Sequence, residues 1–148
     1  MIVLITAAGG AFGKMLAAAG IGDAIQATMG DASGRGMFML FLAFGVAAVM
    51  KVAQGSSTVS MITTSAMIAA MGISSEQLGF NPVYLATAIG SGSVVGVWMN
   101  DSGFWIVSKM GGFTVMETLK SFSSLLAIAG VTGLIATILL SQVLPLTS

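Results

Sequence analysis

Two polar clusters interrupt otherwise apolar runs, Gln54-Gly55-Ser56-Ser57-Thr58 and Asn100-Asp101-Ser102-Gly103. Their residue types suit holding an anion and moving a proton. If a helix resumes near Val59, then Ser56, Ser57 and Thr58 lie at its N-terminus. Unpaired N–H groups and the positive end of the helix dipole there suit a carboxylate without a fixed cation. Hydroxyls in that place also act simply as caps, or bond back to carbonyls of the preceding turn; their position and density favour the binding site. Asp101 is an ionisable group between apolar runs, costly to bury as an anion unless paired or protonated, which makes it a candidate coupling carboxylate that carries a proton. It serves equally well as a structural carboxylate that pairs with Lys51 or caps the helix starting near Phe104. Lys51 is read as snorkelling or pairing in preference to touching a ligand. The expected substrate-binding set is Ser56, Ser57 and Thr58, with Gln54 and Asn100 as supporting polar contacts.

Other chemistry is largely excluded. The chain has no Cys and no His, so it lacks a thiolate nucleophile, an imidazole base and the usual zinc ligands; no catalytic residue, metal or cofactor is expected. GGAFGK at Gly9 to Lys14 lacks the spacing and Ser/Thr of a phosphate-binding loop, and GSGSVVG at Gly90 to Gly96 has the wrong last interval for a dinucleotide fingerprint. The pairs Gly9/Gly13 and Gly92/Gly96 read better as close helix contacts. GIGD at Gly20 to Asp23 resembles an aspartyl intramembrane-protease signature, with Asp101 as the available second carboxylate; this is the minor reading. Five basic and five acidic residues cancel, which leaves no basic field for nucleic acid and no polybasic patch for anionic lipid.

The elements that must position these groups are membrane elements. Of 148 residues 56% are hydrophobic and 7% charged, with mean hydropathy +1.02, against about one quarter charged in a soluble domain. The expected fold is an all-α polytopic membrane protein. A membrane helix is predicted over 2–21 and an interfacial connector over 22–35. Residues 36–72 hold two apolar arms, Met37 to Met50 and Val59 to Met71, with Lys51, Gln54, Gly55, Ser56, Ser57 and Thr58 interrupting them. One unbroken helix of that length would measure about 55 Å, nearly twice the hydrocarbon thickness, so a re-entrant hairpin fits better. The second arm is rich in hydroxyls from Ser56 to Ser65 and should be wrapped by protein or line a cavity. Pro82 suits the first turn of the next element. An interrupted helix is predicted over 82–109, an interfacial link over 111–120 and a transmembrane helix over 121–144. Lys109 and Lys120 put that link in the cytoplasm by the positive-inside tendency. The apolar stretch begins at once, without the basic flank of a signal peptide, and the chain is expected to be a fragment or half of a longer membrane protein.

These residues together resemble the C-terminal part of the gluconate permease family. AGGAFGKML at Ala8 to Leu16 with GIGD after it, AQGSSTVSMITT at Ala53 to Thr64, and GSGSVVGVWMNDSGFW at Gly90 to Trp105 carry the resemblance along nearly the whole chain. It implies a proton symporter for gluconate or a related small hydroxylated carboxylate, of the ion-transporter superfamily, in a cell inner membrane. It also implies two inverted repeats, each with a re-entrant hairpin and an interrupted helix, and a homodimer. Ser56, Ser57 and Thr58 would match the hairpin-tip motif, and Asn100 to Gly103 the interrupted helix facing it. The rival of another class is a passive pore or structural membrane subunit.

Overall fold

The computed structural model describes residues 35–71 and 75–146, with Ala7, Ala11, Met15, Ala18 and Ala19. The expected first membrane helix, the connector through residue 34 and the GIGD segment otherwise lie outside the described residues.

All regular structure among the described residues is helical. The order is α1 (Arg35–Gln54), α2 (Ser57–Ala70), α3 (Ser75–Leu78), α4 (Val83–Val94), α5 (Ser102–Gly111), α6 (Val115–Thr118), a π-helical turn (Leu119–Ser123) and α7 (Ser124–Val143). Gly36–Gln54 and Val115–Val143 are each long and apolar enough to cross a membrane.

The first break lies where the polar cluster is, at Gly55 and Ser56. Gly55 has φ +72, a left-handed conformation that ends α1 and that a side chain disfavours. Ser56 then caps α2, its Oγ accepting from Val59 N at 3.3 Å. α2 turns back onto α1, and Ser60 Oγ donates to Ala47 O at 2.6 Å. The first arm is longer than the apolar run Met37 to Met50 implied. α1 continues through Lys51 to Gln54 and measures about 30 Å, enough to cross hydrocarbon alone. Lys51 does not end the helix, because its side chain is buried and paired.

α4 lies between α1 and α7. Met39, Leu40, Ala43 and Ala47 of α1 meet Tyr84, Leu85, Ala88 and Ile89 of α4, with Leu134 of α7, in one buried cluster. Small residues set the spacing: a β-carbon on Gly92 would strike the Phe44 carbonyl, and one on Gly130 would strike Val95 and the Ser91 carbonyl. Gly92 is thus a close helix contact as expected. Gly96 is not its partner on one helix face, since α4 has already ended and Gly96 lies in the second break.

That second break also differs in extent. It runs from Val95 to Asp101, and Ser102 and Gly103 are already the first turn of α5. Pro82 precedes α4 by one residue, and Asn81 Oδ1 accepts from Val83 N at 3.0 Å. The link expected over 111–120 is short: Thr114 and Glu117 form a reciprocal capping box that starts a helix at Val115, which continues through the π-helical turn to Val143. The Thr-x-x-Glu spacing was legible as a helix start, and it moves that start six residues ahead of the expected 121.

Candidate functional site

The two breaks touch. Gly55 is buried with its α-carbon against the main chain of Asn100, where a β-carbon would collide with the carbonyl oxygen. Gly96 (φ +76) leaves room in the same way for the Val52 side chain. Two side chains of the second break then close the end of α1. Asn100 Nδ2 donates to Val52 O at 2.6 Å and Trp98 Nε1 donates to the same oxygen at 3.1 Å. Val52 is in the last turn of α1, where carbonyls lack helical partners, so the break supplies the donors the helix cannot.

Beneath this contact lies an ion pair. Lys51, in the last turn of α1, is 1% exposed and its ammonium meets Asp101 Oδ2. The same Nζ donates to Gly55 O at 3.2 Å. Asp101 Oδ1 accepts from Gly103 N at 2.7 Å, so this carboxylate caps α5 while it pairs with Lys51. Both structural roles foreseen for Asp101 are therefore filled at once, and Lys51 pairs without snorkelling. The placement suits each charge, because a cation at the C-terminus of α1 and an anion at the N-terminus of α5 both meet the favourable end of a helix dipole. The pair is the only salt bridge among the described residues.

The remaining expected site residues divide. Ser57 and Thr58 occupy the first turn of α2, half-buried and exposed respectively, one residue beyond the capping Ser56. Free N–H groups of that turn and these hydroxyls are donors beside the junction. Gln54 is exposed and its amide bonds to Met50 Sδ of its own helix at 3.9 Å, so it takes no part in linking the breaks. Asn100 is held to Val52 O, a structural bond in addition to any ligand contact. The hydroxyl-rich second arm has two faces: Ser60 and Thr64 are buried with Ile68, whereas Thr58, Met61 and Ser65 are exposed. Trp98 is the residue that sequence reasoning missed; an indole between Gly96 and the polar Asn100 was the available signal.

Residues 1–143 match the family model described as GntP family permease. The High-affinity gluconate transporter of Escherichia coli (strain K12) is 35% identical over 97% of this chain and 32% of its own length. The Gluconate permease of Pseudomonas aeruginosa is 38% identical over 97% of this chain and 31% of its own length. The Gnt-II system L-idonate transporter of Escherichia coli (strain K12) is 33% identical over 97% of this chain and 31% of its own length. The chain thus spans about a third of the length of these relatives. No solved structure matches.

Proposed function

The chain belongs to the GntP permease family, and from that membership we propose that it forms part of a secondary active carrier, a proton symporter for gluconate or a related hydroxylated carboxylate. The observation that carries this reading is the junction of two helix breaks held together by Lys51 and Asp101. Discontinuous helices meeting in this manner are how secondary transporters present main-chain donors and charge to a substrate. In this proposal Ser57 and Thr58, with the free amides of the α2 first turn and the Ser56 hydroxyl, hold the carboxylate. Asn100 and Gln54 line the cradle, and Asp101 takes up the proton. α1 and α2 form a re-entrant hairpin, the whole protein is a multi-pass homodimer of the cell inner membrane, and its role is carriage of a small acid and not catalysis. Relatives named for gluconate and for L-idonate make polyhydroxylated monocarboxylates the class to test.

The test is uptake of D-gluconate into proteoliposomes holding the full-length carrier. Accumulation against a gradient that collapses when the proton gradient is dissipated is the expected result. Flux that only equilibrates gluconate, with no response to the proton gradient, would establish a passive pore instead. Asp101→Asn should abolish uphill accumulation while gluconate counterflow persists. Lower abundance with intact coupling in that variant would leave Asp101 a purely structural cap.

A further inference from the structure

Lys51 is the buried group that the cradle does not use. An ammonium has three donors; one lies on Gly55 O and one on Asp101 Oδ2. Gly55 immediately precedes the capping Ser56, so the charge sits at the edge of the α2 first turn. Among the described residues, the elements around it offer no other countercharge. α2 and the segment Val95 to Asn100 carry no titratable side chain, and the sole titratable residue of α4, Tyr84, lies at the opposite end of that helix on Leu144 O. On α5 the next charge, Lys109, is exposed two turns away. With a single buried ion pair among the described residues, that pair is the route they offer for admitting a further charge.

We propose that Lys51 and Asp101 form a charge-exchange pair, in which a proton taken by Asp101 frees Lys51 to hold the carboxylate of the substrate. This rests on the carrier reading above and deepens it. The bookkeeping is closed: Lys51 positive and Asp101 negative sum to zero when empty, and Lys51 positive, Asp101 protonated and one carboxylate also sum to zero. A carboxylate without the proton leaves the site at minus one, and a proton without the carboxylate leaves it at plus one, each an uncompensated charge in a low-dielectric setting. Coupling then follows from neutrality, one proton for one monocarboxylate, with no dedicated gate. When Asp101 is protonated it keeps an oxygen for Gly103 N, so the α5 cap survives the exchange. Lys51 swings only from one oxygen to another while Gly55 O retains it.

The experiment uses the full-length carrier, D-gluconate as probe, and three proteins: wild type, Asp101→Asn, and Lys51→Gln/Asp101→Asn. The double variant removes both charges with little change of shape, which avoids stranding one of them. Expected for wild type are gluconate binding that tightens as pH falls and initial uptake that does not respond to an imposed potassium-diffusion potential. In Asp101→Asn the pH dependence of binding vanishes. In the double variant, membrane abundance stays near wild type while gluconate affinity falls by roughly tenfold or more, the scale of a lost hydrogen bond to a charged group. Wild-type affinity in the double variant, or wild-type pH dependence in Asp101→Asn, overturns the exchange while leaving a carrier. Absence of gluconate uptake by the wild-type protein overturns the carrier reading itself and takes the pair's role with it.

Discussion

Gly55 meets two independent demands, a left-handed backbone and contact with the Asn100 main chain. Gly55→Ala should destabilise the protein by more than about 1–2 kcal/mol, since the backbone penalty alone reaches that range. A lowered melting temperature in detergent with reduced abundance is the expected readout, and unchanged stability would show that the breaks do not rely on this contact. The three hydroxyls beside it should separate by role. Ser56 Oγ is committed to Val59 N, so Ser56→Ala loses a cap, about 1 kcal/mol of stability. Ser57 has no such duty. Ser57→Ala should leave stability nearly unchanged and raise the half-saturating gluconate concentration by roughly tenfold, as expected for a lost donor to a carboxylate. Normal affinity in Ser56→Ala, Ser57→Ala and Thr58→Ala alike would remove the cradle.

Among the elements, the break in 36–72 was legible because a lysine and four polar residues split an apolar run too long for one crossing. The second break was legible through Asp101 but not in extent. Apolar Val95 and Val97 give no hint that α4 stops at Val94; it stops because Gly96 must turn and admit Val52. Nor was the length of α1 legible. Lys51 reads as an interruption until its carboxylate partner, fifty residues on, is known to bury it. The length of α1 sharpens a test of depth. Cysteines at exposed Phe38 and Ala69 should label from the same side of the membrane, as for any antiparallel pair. A cysteine at Gln54 should resist a bulky impermeant reagent from the opposite side if the hairpin is re-entrant. Ready labelling there would mean that α1 crosses completely.

For the whole molecule, the open face of α2 and the outward stripe Leu125, Ile128, Val131, Ile135 and Leu139 of α7 raise different expectations. The α7 stripe is apolar and suits lipid. The α2 face mixes Thr58 and Ser65 with Met61, which lipid does not reward. It calls for polar cover, and relatives about three times as long as this chain have the material to supply it. The 148 residues by themselves are accordingly expected to drive no proton-dependent uptake of gluconate in proteoliposomes. Robust uptake by this polypeptide would show that one junction of breaks suffices.

The chain's two tryptophans are both anchored at that junction, Trp98 on Val52 O and Trp105 on Met99 O at 2.7 Å. Both indoles are therefore placed to report on the contact between the two breaks. With Trp105→Phe, emission from this segment comes from one indole whose N–H bond spans the two breaks. Parting of Trp98 from Val52 changes the polarity around the ring, so the emission maximum should shift on adding gluconate at low pH and stay still with Lys51→Gln/Asp101→Asn. An emission spectrum that ignores substrate in both proteins would indicate that the junction stays closed throughout the cycle.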